Sequence, residues 1–232
     1  MTRGEIQIRY AIRNQPAGLC RRGIKHYFGV DVPNYPRYCF IANDRTAGLP
    51  SLPDTGRADG FNRPGPILPG WKLVHILPEL TRHAVKWVED SARSGQPFFL
   101  YFTLTSPHHP VVPSPEFKGK SAAGDYGDFV MQTDWTVGRV LDALRRTGVA
   151  DNTFVVFASD NGPEVTGEVN PGAYDRAQQF RPYSMGELRG AKPPGAMAHR
   201  GSMIQDPEGA ARLAPAGLLI ARGLLSSTDK GT

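Results

Sequence analysis

Two hydrophobic rhythms alternate through the middle of the chain. In "LPELTRHAVKWVEDSARSG", Leu80, Ala84, Trp87 and Val88 fall on one stripe at helical spacing, with Pro78 near the start and Gly95 just past the end. Proline is tolerated in a first turn, where its missing N–H has no intrahelical partner, and glycine suits the residue that closes a helix. Next comes "PFFLYFTL" (97–104), apolar and aromatic without polar alternation, which predicts a short strand buried on both faces. "SPHHPVVPSPEF" predicts a loop stiffened by proline. "GDYGDFVMQTDWTVGRVLDALRRTG" then puts Tyr126, Phe129, Val130, Val137, Val140, Leu141 and Leu144 on one helical face. Arg145 and Arg146 suit the negative end of that helix dipole, and Gly148 suits its cap. "NTFVVFAS" predicts a second buried strand. The order helix, strand, loop, helix, strand, loop predicts an α/β fold with a mostly parallel sheet covered by helices.

The flanks carry weaker patterns. Residues 1–22 have no clear period. Residues 31–70 are dense in proline and glycine ("DVPNYPRYCF", "GLPSLPDTG", "RPGPILPG"), which predicts a long, ordered or half-ordered surface excursion. From residue 193 the chain is rich in small residues and weakly periodic, and "ARLAPAGLLIARGLL" is compatible with a helix interrupted by Pro215 and Gly217. There are no internal repeats.

Composition narrows the class. With 232 residues, 40% hydrophobic and 21% charged, the chain reads as soluble and globular, long enough for one α/β core or a piece of a larger one. No apolar stretch approaches the ~18 residues of a membrane span. The opening "MTRGEIQIRYAIRNQP" is polar and lacks the apolar core of a secretory leader, so no export address is visible and location stays open. The net charge is +5, and the first 46 residues hold eight Lys/Arg against three Asp/Glu. No nucleic-acid motif accompanies that excess, so the expectation is an ordinary solvated face with no nucleic-acid partner. Cys20 and Cys39 form no Cys-x-x-Cys pair and no zinc spacing.

Candidate chemistry clusters where the two strands end. Ligands of parallel α/β sheets bind beyond the carboxyl ends of the strands. Strand 97–104 runs into Ser106, His108 and His109, and strand 153–159 runs into Asp160 and Asn161. A carboxylate next to a carboxamide suits Ca²⁺ or Mg²⁺ and suits zinc poorly, but two ligands fall short of the six to eight oxygens that calcium takes. Asp-Asn-Gly is also an ordinary turn sequence, and from those residues alone the turn is favoured. A histidine in a proline-braced loop can offer a cation to an anion or a nitrogen to a metal. For His109 in the same loop, a packed or solvent-facing ring is favoured, and His26, His75, His83 and His199 have no such constellation and read as structural or surface residues. Lys192 follows in "LRGAK", and a lone lysine matters only if the site holds an anion.

Taken together, "GIKHYFGVDVPNYPRYCFIANDRT", the whole stretch from "PFFLYFTLTSPHHP" to "FASDNGPE", and "YSMGELRGAK" resemble the sulfatase family, in particular its arylsulfatase branch. The resemblance runs from about Gly23 to Lys192, with a divergent segment at 1–22 and a divergent tail at 193–232. It implies an alkaline-phosphatase-like α/β/α sandwich with a mostly parallel sheet, here incomplete. It implies a sulfuric ester hydrolase acting on small-molecule (aryl) or carbohydrate sulfates. By the same resemblance, Asp160 and Asn161 match a strand-end pair that helps bind Ca²⁺. His108, in a Pro-His-x-Pro frame, matches the histidine that hydrogen-bonds the sulfate. Lys192, in a Leu-Arg-Gly-x-Lys frame, matches the lysine that neutralises sulfate oxygens. A divalent ion, a lysine and an imidazolium around one group would stabilise charge moving onto the leaving oxygen.

The departures are equally specific. Family members carry a Cys/Ser-x-Pro-x-Arg signature whose first residue becomes formylglycine, the nucleophile. Neither Cys20 nor Cys39, nor any serine, stands in that frame. The early Asp pair that completes the metal site and a Gly-Lys-Trp-His segment are also absent, and "PPGAMAHRGSMIQDPEG" replaces the expected aromatic-Glu-Gly-Gly turn. The expectation is a truncated or frame-disrupted catalytic domain that is impaired on its own. The alternatives are a non-catalytic remnant that binds sulfate or nothing, and a phosphate-ester hydrolase of the same superfamily.

Overall fold

A computed structural model describes residues 25–31, 33–56, 63–108, 110–159, 203–204 and 216–222. The first helix, α1 (Ile76–Arg93), buries Ile76, Leu77, Leu80, Thr81, Ala84, Val88 and Ser91 along one stripe. Trp87 lies beside that stripe, half-buried, with its ring edge-on to Phe98 at 5.3 Å. The helix closes where the sequence predicts. Gly95, with φ +69°, takes the left-handed conformation that an L side chain avoids and donates its N–H to the Ala92 carbonyl.

The central strand pair forms as expected, but its faces differ. In β6 (Phe98–Thr103), Phe98, Leu100 and Phe102 are buried, whereas Phe99, Tyr101 and Thr103 are half-exposed. In β7 (Thr153–Ser159), Phe157 is buried and Phe154 is 53% exposed. The reading of two strands buried on both faces is therefore corrected. The described helices, α1 and α2 (Gly124–Arg146), both pack on the same face of the sheet, so among the described residues only that face is dry.

The sheet also corrects the expectation of parallel pairing. Two further strands are described, β8 (Met203–Ile204) and β9 (Ala216–Arg222). Among the described residues the strand order is β6-β9-β7-β8, and every ladder is antiparallel. β6 and β7 run in the same direction but are not neighbours, because β9 lies between them. The segment expected as an interrupted helix is thus a central strand. "AGLLIA" has no polar face to give to solvent, and Pro215 and Gly217 both disfavour a helix there. Inserted between two apolar strands, it satisfies its backbone on both sides, and Ile220 is fully buried opposite Leu100 and Val155.

The core joins the inner face of the sheet (Phe98, Leu100, Phe102, Phe157, Ile220) to Leu80, Ala84 and Val88 of α1 and to Phe129, Val137, Val140, Ala143 and Leu144 of α2. The helices also meet through a buried hydrogen bond of 3.0 Å between the hydroxyls of Thr81 and Thr136. The proline-rich excursion and the residues just before it contain regular structure. β1 (Phe28–Gly29), β2 (Ile41–Ala42) and β3 (Arg45–Thr46) form an antiparallel meander, and β4 (Leu52–Asp54) pairs with β5 (Gly65–Ile67). Asn43, with φ +56°, makes the tight turn between β2 and β3, and its side-chain oxygen accepts from the Tyr27 N–H at 3.0 Å. The meander docks on α1 through Phe28, which stacks on the His83 ring with centroids 3.4 Å apart.

Candidate active site

The register fixes the edge at which chemistry can gather. Thr103 of β6 and Ala158 of β7 both pair with Gly217 of β9, one from each side. Two inter-strand spacings separate them, ~10 Å across the sheet. The strands run the same way, so their carboxyl ends are level at one rim.

Beyond Thr103 the chain stays buried through Leu104, Thr105, Ser106 and Pro107, then surfaces at His108 and returns to burial at Pro110. His108 is therefore an exposed residue between two buried prolines. Prolines restrict the unfolded chain and hold this exposed position at small entropic cost. After Pro110 the loop passes through Ser114, Gly119 and Ser121 before α2 begins.

Polar residues of α2 hold that loop. The Thr133 and Ser106 hydroxyls share a buried hydrogen bond of 2.7 Å. Gln132 Oε1 accepts the Ser114 N–H at 2.8 Å. The two carboxylate oxygens of Asp128 accept the N–H groups of Gly119 and Ser121, each at 2.6 Å. Gly127 allows the close approach, because a Cβ there would run into the Ser121 side chain. Among the described residues Gln132 is held by its acceptor end alone, since its Nε2 is buried with no partner there. Sequence reasoning assigned this helix face to its hydrophobic residues and passed over Asp128, Gln132 and Thr133. The available signal was Asp128, Gln132 and Thr136 at i, i+4 and i+8, a polar row inside a buried stripe.

Of the four candidate site residues, the described structure contains His108. Asp160 directly follows the last described residue of β7, and Asp160, Asn161 and Lys192 lie outside the described residues, as does His109. Among the described residues no group of three or more His, Cys, Asp or Glu side chains could hold a metal ion. The described donors therefore do not make up a calcium site. The calcium expectation rests on the two oxygen donors of Asp160 and Asn161, against the six to eight that the ion takes.

Two buried groups among the described residues, Cys39 and Tyr126, are poor reactive candidates. Cys39 is buried, and burial before all else pushes its thiol pKa up, which disfavours the thiolate a nucleophile needs. Burial pushes the Tyr126 phenol up to about 12, so it stays protonated near neutrality. No described helix is long and apolar enough to cross a membrane.

The mixed α/β fold is shared with a solved structure reported for the metabolism of multiple glycosaminoglycans by Bacteroides thetaiotaomicron. That likeness has a TM-score of 0.55 at 20% identity, over 85% of this chain and 45% of the other. Residues 77–198, just over half of the chain, match the family model of the sulfatases. The chain belongs to the sulfatase family. It is 37% identical over 122 residues to an N-acetylgalactosamine-6-O-sulfatase of Bacteroides thetaiotaomicron, covering 53% of this chain and 23% of that protein. It is 30% identical over 152 residues to mouse N-acetylgalactosamine-6-sulfatase, covering 66% and 29%. With human arylsulfatase A it shares 32% identity over 151 residues, covering 62% and 29%. The chain thus spans about a quarter of the length of these curated relatives.

Proposed function

We propose that this chain carries the sulfate-recognising rim of a sulfuric ester hydrolase for aryl or carbohydrate sulfates. The observation that carries the reading is the span of the family match. Residues 77–198 include His108, Asp160, Asn161 and Lys192, and the sequence around each resembles a frame of the family. The relatives named for N-acetylgalactosamine-6-sulfate favour a carbohydrate ester as substrate.

In this reading His108 donates a hydrogen bond to a sulfate oxygen, and Lys192 neutralises negative charge on the same group. Asp160 and Asn161 would contribute two oxygens to a calcium site completed by carboxylates that these residues do not include. A bound Ca²⁺ would polarise the sulfate oxygens. The chain's own part is to bind and orient the anion, with the proline-braced loop holding His108 at an exposed position. No Cys/Ser-x-Pro-x-Arg frame occurs in the 232 residues, so the chain alone binds a sulfate ester without the family's covalent turnover.

The test is calorimetric binding of an aryl sulfate and the matching aryl phosphate, with Ca²⁺ present, to the wild type, His108→Ala and Lys192→Ala. A chromogenic turnover assay accompanies it. The expected result is sulfate binding that each substitution weakens, with turnover no higher than in His108→Ala. Binding of phosphate alone would favour a phosphate-ester enzyme of the same superfamily. Sulfate turnover above the His108→Ala control would overturn the assignment of binding without catalysis.

A further inference from the structure

The loop that carries His108 is held at three heights along α2, and the anchors match it in reverse order. Thr133 meets Ser106, Gln132 meets Ser114, and Asp128 meets Gly119 and Ser121. The anchoring residues occupy five helical steps, ~7.5 Å of helix axis. Fifteen steps of loop, from Ser106 to Ser121, are gathered against that short length. His108 lies two residues from the Ser106 anchor and six from the Ser114 anchor, and the Asp128 anchor closes the far end of the same loop.

Asp128 is the costliest of the anchors to bury. Its side chain is 1% exposed, and among the described residues it has no cationic partner. A carboxylate without a counter-ion persists in such a place only when its oxygens are hydrogen-bonded. Both oxygens are committed to the same short stretch of loop. Gly119, with φ +77°, turns that stretch so that two of its N–H groups converge on one carboxylate.

We propose that Asp128 is a positioning residue for His108: its buried carboxylate, with Gln132 and Thr133, sets where the imidazole stands at the rim. The proposal rests on the reading of His108 as a sulfate ligand. Asp128 touches no substrate in it and acts through the loop.

The experiment uses the full 232-residue chain, labelled for NMR, with two readouts. One is amide hydrogen exchange at Ser114, Gly119 and Ser121. The other is the ring C–H signal of His108 during titration with inorganic sulfate. In Asp128→Asn, one amide keeps an acceptor and the other faces an NH₂ group. Exchange at Gly119 and Ser121 should rise roughly tenfold or more, and sulfate affinity at His108 should fall by about the same factor. Exchange in β6 and in the C-terminal half of α2 should stay unchanged. Thr133→Val should weaken the sulfate response, and Thr133→Ser, which keeps the hydroxyl, should restore it.

Wild-type sulfate affinity at His108 in Asp128→Asn would overturn the proposal. So would faster exchange spread evenly over the core, or equal behaviour of Thr133→Val and Thr133→Ser. If the wild-type ring ignores sulfate, the functional reading fails. Amide exchange, together with the resting position of the His108 signal, then decides the clamp by itself. Faster exchange confined to residues 114–121 with a displaced His108 signal supports it, and no change overturns it.

Discussion

The two halves of α2 do different work. From Val137 to Leu144 the buried side chains are Val137, Val140, Ala143 and Leu144, all apolar and packed into the core with α1 and the sheet. From Asp128 to Thr136 they include Asp128, Gln132, Thr133 and Thr136, all polar and hydrogen-bonded to other segments. The apolar half gains stability without direction, because the hydrophobic effect is not directional. The polar half specifies geometry, because each buried donor or acceptor is costly unless its partner is in one place. One helix thus divides between holding the fold and holding the loop that presents His108.

The largest effect should come from the apolar half. Leu144 is almost fully buried, and Leu144→Ala should cost about 2–5 kcal/mol in urea unfolding. If the division holds, the His108 ring signal of the surviving folded protein stays where it is in the wild type. A large displacement of that signal would break the comparison.

Asp128→Asn should come next, with a loss of about 1.5–3 kcal/mol from one charge-assisted bond. Here the disturbance should concentrate in the loop. Thr136→Val, which removes the hydroxyl facing Thr81, should cost about 1 kcal/mol. It should leave the loop undisturbed, because that bond joins helix to helix.

Smaller effects belong to the surface. Arg146 reaches Glu89 across the helix pair at 2.9 Å, but both are partly exposed, so Glu89→Ala should change stability by less than ~1 kcal/mol and salt should diminish the difference. A pH effect should come from His83. Desolvation, then the Arg82 charge, lowers its pKa from 6.5, with Glu79 opposing. A base with a depressed folded pKa leaves the unfolded chain binding more protons. Its contribution is complete above pH 6.5 and is lost as pH falls toward the folded value. His83→Phe should keep the stack on Phe28 and flatten the pH slope of stability below neutrality.

The sequence revealed elements better than their arrangement. The stripe of Leu80, Ala84 and Val88 and the caps at Gly95 and Gly148 found both helices, because period and capping are local properties. The faces of β6 and β7 were not legible. An unbroken apolar run looks the same whether one face or two are covered, and Phe154 on the second face is 53% exposed. The place of β9 depends on contacts more than a hundred residues away in the chain, opposite Phe98–Thr103, which no local pattern encodes. The exposed loop position of His108 was legible through its flanking prolines. The anchors beneath it were not, because polar residues on a buried helix face read as interruptions until their partners in the loop are known.

The central claim is that this member of the sulfatase family presents a sulfate ester to His108 at the rim where β6 and β7 end. A crystal structure of the chain with an aryl sulfate tests it most directly. The account predicts a sulfate oxygen within hydrogen-bond reach of the His108 imidazole, ~2.7–3.2 Å, with Lys192 Nζ on the same group. An ester bound elsewhere while the His108 loop keeps its place on Asp128 would contradict it.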